Sequence, residues 1–463
     1  MEGKELQSRI EGTVTTSTDA KYENLRRELI WNQLTPARYP QMIVQVATEQ
    51  DVVEAVRFAR THRMKVAVRG GGHSWVGFSL RDESLLLDLG RLTQVSIDRA
   101  AGTAAIQPAV SGQDLNRQLA VHGLAFPVGH CPTVSLSGFL LNGGLGWNFN
   151  SWGPACFSIE AANAVTADGS LVSVNQEQNT DLLWAIRGAG PGFFAVVTRY
   201  CLKLYPAPRA MTTSTYFYPL QQVEEVGAWA ANIAGRLPKE VELTIFFAPA
   251  PPAFAERCKA SNGFACILSA TAFVDTQSEA TAILSILDSC PVAHQCLGKE
   301  LNQPTPFDTL FEMGDMLWPG RRHYSADTLW SNSSPAKLLA TLRDHFMRAP
   351  SPQSLAVLVF SSGVDGVASP LPDAAFSMTA KMLLLCYAIW ERPADNAANI
   401  AWHQETIAAV DPFAVGHYVG ESDIVAAPAR AERSFAPANW QRLQALRRKY
   451  DPDGLFHGHF GTR

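Results

Sequence analysis

Three glycine-dense stretches restrict what this chain can fold into more than any other feature: RGGGHS at residues 69–74, SGFLLNGGLGW at 137–147 and RGAGPGFF at 187–194. The first ends the strand pattern KVAV and runs straight into His73 and Ser74. Glycine reaches positive φ without strain and lets main-chain N–H groups approach an anion with no Cβ in the way. Successive amides pointing one way form a nest for phosphate oxygens. One such run reads as a tight turn. Three in one α/β region, two of them bracketing reactive side chains, point to a ligand with a pyrophosphate and extended rings.

The familiar phosphate motifs do not account for them. In a G-x-G-x-x-G reading, the third glycine place is Trp75 after Gly70 and Gly72, Phe149 after Gly144 and Gly146, and Phe193 after Gly188 and Gly190. The dinucleotide signature therefore fails, and no G-x-x-x-x-G-K-[ST] loop occurs. No group of His, Cys, Asp or Glu has metal-ligand spacing, so no metal is expected.

At 463 residues the chain is too long for one core and suggests two or three domains. A net charge of −5 lacks the basic footprint that nucleic acid or an anionic membrane requires. The apolar run MLLLCYAIW is too short to span a bilayer and reads as a buried strand. The N-terminus, MEGKELQSRIEG, is charged and shows no apolar core of a signal peptide. The eight cysteines contain no C-x-x-C pair and read as reduced, mostly buried small hydrophobes. The expectation is a soluble, cytoplasmic protein with no nucleic-acid or membrane partner.

Along the chain, QMIVQVA, KVAVRG, SLLLDLGRL and QVSIDRAAGTAAIQPAV read as extended segments. TEQDVVEAVRFARTH and SGQDLNRQLAVHG read as helices with Thr and Ser caps. A hairpin turn is expected at Asp168-Gly169. After Pro206 the texture changes. MTTSTYFYPL, VELTIFFAPA, FACILSATAFV and SLAVLVFSS alternate with helices near 277–290, 335–348 and 396–410, separated by linkers such as APAPPAFAE and ASPLPDAA. That pattern fits an α+β unit on an antiparallel sheet. The tail NWQRLQALRRKYDPDGLF reads as a helix ended by a Pro-Asp-Gly turn.

In order, VRGGGHS, GHCPTVSLSGFLLNGGLGWN, DLLWAIRGAGPGFFAVVT and KYDPDGLF resemble the berberine bridge enzyme-like branch of the vanillyl-alcohol oxidase (p-cresol methylhydroxylase) family of FAD-linked oxidases. The match runs from Trp31 and Asn32 to Phe456. It implies an α+β fold: a two-subdomain α/β FAD-binding domain at 1–206, a substrate domain with an antiparallel sheet at 207–416, and a C-terminal segment, 417–463, returning to the FAD domain. It also implies FAD bound by Arg69, Gly70, Gly71, Gly72, His73 and Ser74, then Gly129, Cys131 and Val134, then Gly138, Gly143, Gly144 and Gly146, and finally Val197. His73 is the implied 8α attachment point and Cys131 the 6-S-cysteinyl one. Both are chemically sensible, since an imidazole nitrogen or a thiolate can add to an electrophilic flavin carbon.

The family's base comes from a Y-x-N-Y-x-D stretch. This chain has HYVGESD, in which Tyr418 and Asp423 match, Gly420 replaces the Asn and Glu421 the second Tyr. Two candidates follow: Glu421 with a pKa raised by an apolar setting, or Tyr418 with a lowered one. Against them stands a solvated Glu421 and a packing Tyr418. Trp318, Tyr324 and Trp330, with Arg321, Arg322 and His323 nearby, are pocket candidates, although aromatics at strand spacing are more often core. His403 and His457 read as structural. By resemblance, a valine at 134 leaves room for oxygen by the flavin and favours an oxidase. The expected function is oxidation of an alcohol, sugar or amine carbon of a bulky small-molecule substrate, or oxidative ring closure, with molecular oxygen as the second partner and hydrogen peroxide as product. A same-fold dehydrogenase and a flavoprotein that only binds a ligand are the alternatives.

Overall fold

A computed structural model describes residues 2–361 and 371–461. Residues 368–370 of the ASPLPDAA linker lie outside this range. Strands Thr13–Thr16, Met42–Gln45, Ser84–Asp88 and Lys65–Arg69 form a four-stranded sheet in that spatial order. Its first pair is antiparallel and the other two are parallel. The helix Glu49–Thr61 makes the crossover. Thr48 caps it in a reciprocal box with Asp51, and its Val52, Val56, Phe58 and Ala59 are buried against the sheet.

Strands Val95–Asp98, Thr103–Ile106, Val196–Lys203, Ile159–Val165 and Leu171–Val174 form a second sheet, antiparallel throughout. Hairpins rather than crossover helices join its outer pairs, which is why parallel pairing stops at the first sheet. The expected turn at Asp168-Gly169 is one of these hairpins, with Gly169 at φ +79°.

From Ala210 to Gly416 runs an eight-stranded antiparallel sheet. Helices Val223–Ala234, Pro335–Phe346 and Asn396–Val410 contribute to the apolar core on one of its faces. The strand-forming run 382–390 is a buried strand of this sheet, Met382–Trp390.

The tail closes the structure. After the helix Pro437–Tyr450, Phe456 forms a parallel bridge with Val66, supported by Val66 N–H to Leu455 O at 2.8 Å and His457 N–H to Val66 O at 3.0 Å. Arg447, buried, donates to the carbonyls of Gly192 and Phe456. The turn 451–456 is held by the Asp451 carboxylate, which accepts from the Leu455 and Phe456 amides.

One glycine of the third loop shows why a side chain is excluded. Gly188 has φ +110°, and a Cβ there would lie 2.4 Å from Phe376 Cβ and 2.6 Å from Phe376 N. The main chains are already joined by Phe376 N–H to Arg187 O at 2.9 Å. Gly102, also at positive φ, has nothing within 4 Å of such a Cβ. Gly102→Ala should therefore cost only backbone strain, about 1–2 kcal/mol, whereas Gly188→Ala adds a backbone collision and should cost about 3 kcal/mol or more. Denaturant unfolding of the two variants checks the difference.

Candidate active site

The three sheets and the returning tail enclose a cavity of about 710 Å³, within the range of small-molecule and cofactor sites. The first glycine loop forms one wall. Arg69 ties it down: its guanidinium meets Asp88 at 2.9 Å and donates to Leu29 O and Gly71 O. Among the described residues, no amide N–H from Gly70 through Trp75 donates to a protein acceptor. These six successive free donors beside a cavity are the chemistry a phosphate or a heterocycle edge needs. The loop lies against the second one so closely that a Cβ on Gly71 would come 2.7 Å from Ser135 Oγ, and on Gly70 2.8 Å from Ser137 Oγ. At Gly138, which lines the cavity, an added Cβ would meet nothing within 4 Å and would take up open space. Open amides, a glycine-lined wall and a long cavity fit FAD.

Of the sequence-derived cofactor residues, Arg69, Gly70, Gly71, Gly72, His73, Ser74, Gly129, Cys131, Val134, Gly138, Gly146 and Val197 all line this cavity. Gly143 and Gly144 do not. They carry φ of +109° and +77° at the end of the helix Leu136–Leu141, and a Cβ on either would strike Phe376 or Phe139 and Ala155. They turn the chain and let it pack; the cavity is lined by their neighbours Asn142 and Leu145.

His73 Nε2 sits 3.0 Å from Thr133 Oγ1, and its ring stacks on Trp31 with centroids 5.2 Å apart. Burial and Arg69 push it down to about 4, so the imidazole is neutral with a lone pair available. Cys131 is pushed up to about 12 by burial, Glu421 and Asp315. Its resting form is the thiol, and it needs a proton acceptor before it can act as a nucleophile.

The loop carrying HYVGESD packs on strand His323–Ser331. Tyr418 N–H donates to Thr328 Oγ1, the Thr328 and Ser422 hydroxyls are 2.9 Å apart, and Arg430 pairs with the buried Asp327. Glu421 consequently faces the cavity, half-buried rather than solvated. Its Oε2 accepts from Tyr387 OH at 2.6 Å and Trp75 Nε1 at 3.1 Å. Burial raises its pKa, against the lowering effect of those two donors. Tyr418 also lines the cavity, but a lowered pKa there is not what the structure gives: burial and the nearby Glu421 both raise it. Gly420 has a local reason to be glycine, because a Cβ would lie 2.9 Å from both Asn142 Cβ and the Tyr418 ring. Asp423 caps the following turn through the Val425 and Ala426 amides.

Trp318 and Trp330 line the cavity, whereas Tyr324 does not. It is fully buried behind the wall, its hydroxyl donating to Pro319 O and its ring against Trp31 and Trp75. Alternation along strand His323–Ser331 does not decide which side meets a ligand, since both sides are covered. Arg322 pairs with Glu391, and His323 stacks on Trp390. His403 is buried between Ser325 and Cys386 O, in agreement with its structural reading. His457, read the same way, instead lines the cavity; burial, then Arg81, push it down to about 4.

Sequence reasoning missed Trp75, Tyr387, His130 and Glu242, all in the cavity wall. A charge inside the apolar pattern VELTIFF was the one visible signal for Glu242. The cavity-facing positions of the large sheet fall in cross-strand rows. Glu242 pairs with Thr271, the next row holds Glu300, Thr215, Ser269, Thr244 and Val359, and the row after that Phe217, Ile267, Phe246 and Val357. The wall thus passes from carboxylate and hydroxyls to apolar side chains and ends at Tyr387.

Glu242 is 8% exposed, and burial pushes it up to about 7 although the Phe149 and Asn148 amides oppose the shift. A carboxyl whose pKa is higher folded than unfolded favours folding at low pH and loses that advantage as pH rises from about 4.5 to 7. The ligand-free protein should lose on the order of 3 kcal/mol across that window through this group, and Glu242→Gln should remove the loss; unfolding curves at the two ends of the window test it.

Comparison with known proteins agrees with this geometry. A family model described as an FAD binding domain matches residues 40–175. The FAD-linked oxidoreductase nodO of Hypoxylon pulicicidum is 28% identical over 445 residues, 96% of each chain. Among solved structures, 6-hydroxy-D-nicotine oxidase of Arthrobacter nicotinovorans superposes with TM-score 0.83 at 20% identity, covering 98% of each chain. Berberine bridge enzyme of Eschscholzia californica gives 0.83 at 19% identity, covering 99% of this chain and 98% of that one.

Proposed function

We propose, from the premise that the chain is an FAD-linked oxidoreductase with the berberine bridge enzyme-like fold, that it is an oxidase acting on a C–H bond next to a hydroxyl or amine of a bulky substrate. In this reading residues 1–206 and 417–463 hold the cofactor and residues 207–416 the substrate. The observation that carries it is Glu421, a carboxylate in the wall of the cavity that also contains His73 and Cys131, gripped by Tyr387 and Trp75. Its raised pKa suits a group that must take a proton near neutral pH. Tyr387 and Trp75 both bind the same oxygen, Oε2, which leaves Oε1 for the substrate proton.

FAD held by these residues would supply the two-electron acceptor for the C–H electron pair, and dioxygen with two protons would carry that pair off as hydrogen peroxide. Glu421 takes the hydroxyl or amine proton. His73, neutral, and Cys131, once deprotonated, would hold the cofactor covalently. Val134 lines the cavity and, being small, supports oxygen access. Gly420 supports an intact centre over a relic that only binds ligand, because the close packing of Asn142 and Tyr418 requires it.

In the denatured protein, FAD mass should remain on the chain, survive His73→Ala or Cys131→Ala singly, and vanish in the double variant; mass spectrometry of all four decides this. A panel of alcohols, sugars and amines should bleach the flavin anaerobically and release peroxide in air. Reduced flavin that persists for minutes in oxygen identifies a dehydrogenase, and a flavin that no compound bleaches identifies a binder. Glu421→Gln should lower turnover about 10²–10⁴-fold. Because Tyr387 lowers the Glu421 pKa by its hydrogen bond, Tyr387→Phe should move the acid limb of the kcat–pH profile to higher pH.

A further inference from the structure

The hydroxyl-rich end of the cavity holds a carboxylate with no cation. Glu242 Oε1 accepts the Phe149 amide at 2.9 Å, and the Asn148 main chain gives a second hydrogen bond. Among the described residues no Lys or Arg comes within ion-pairing distance of it, and no charged side chain contributes to its titration. Burying an ionised carboxylate without a counter-ion is strongly unfavourable unless a partner arrives. Here the carboxylate borders open volume, so a ligand can bring that partner.

The rest of the wall says what kind of ligand. Glu242 lies three cross-strand rows from Tyr387, six residues along the strands, which is roughly 20 Å. Between the two ends runs an aromatic strip: Tyr387 to Trp318 at 5.8 Å, Trp318 to His130 at 6.4 Å and His130 to Trp147 at 4.1 Å between ring centroids. Trp147 leads directly into the Asn148 and Phe149 amides that hold Glu242. His130 is neutral, since burial pushes it down to about 4, so the strip places no competing positive charge beside the carboxylate.

We propose that Glu242 binds a cationic nitrogen of the substrate at the end of the cavity remote from Glu421, which makes the substrate an elongated, mostly apolar ring system carrying a protonated amine away from the oxidised carbon. This rests on the reading of the cavity as a substrate site, and it assigns the amine a binding role distinct from the reacting position. The ammonium donates a charge-assisted hydrogen bond to Glu242 while the rings lie along the aromatic strip.

The test is calorimetric titration of the FAD-loaded protein at about pH 8, where Glu242 is ionised, with 9-aminoacridine, a flat cation, and acridone, its neutral counterpart. The cation should bind about tenfold tighter or better. In Glu242→Gln that preference should shrink to within about twofold while acridone affinity stays put. Equal affinities in the unmodified protein, no measurable binding of the cation, or a preference that survives Glu242→Gln each overturn the proposal. The comparison of probes in the unmodified protein does not depend on the variant folding. Turnover is not used, so a protein that releases no peroxide can still confirm Glu242, and one that does can still refute it.

Discussion

The close approach of the first two glycine loops is the constraint on which the cavity depends. Gly70 and Gly71 lie so near Ser135 and Ser137 that no Cβ fits between them, and Arg69, paired with Asp88, keeps the loop from relaxing away. With the loop pinned from behind, the six main-chain amides from Gly70 to Trp75 have no protein acceptor among the described residues. Unpaired buried donors are normally costly, so the arrangement is stable only because a ligand or solvent can satisfy them. A binding site is the consequence of a packing contact.

The same logic governs the acid–base groups. Burial shifts six side chains around the cavity toward their neutral forms: His73, His130 and His457 lose their protons, while Cys131, Glu242 and Glu421 keep theirs to higher pH. Glu421 differs from Glu242 in its partners. Two side-chain donors, one on a strand and one in a loop, restrain Glu421, whereas among the described residues main-chain amides alone hold Glu242. The first arrangement is the one on which the proposed base role rests, and the second the one on which the proposed cation site rests.

Much of the scaffold was legible in advance because it rests on local rules. The Thr48 cap, the Asp168-Gly169 hairpin and the alternating strands of the large sheet follow from side chains within a few residues of one another. The expectation of an anion site at the glycine loops came from the same kind of local signal. Gly143 and Gly144 were harder to place: glycine runs look alike whether they face a ligand or, as here, Phe376, Phe139 and Ala155. Tyr324 and Trp330 stand six residues apart on one strand, yet only Trp330 reaches the cavity, because Trp31 and Trp75 cover Tyr324.

The amino-acid order alone was enough for the set of elements, a nucleotide-sized cradle with His73 at its edge, and the pair Tyr418 and Glu421 as candidates for the base. The setting of Glu421 came from the tertiary fold alone, since its pKa depends on burial and on Trp75 and Tyr387, 346 and 34 residues away in the chain. The fold also decided that Glu242, one charge in an apolar strand, looks into the same cavity. Hydrogen bonds along a turn or helix are written into neighbouring residues; electrostatics in a cavity is a sum over walls that the chain assembles from distant parts.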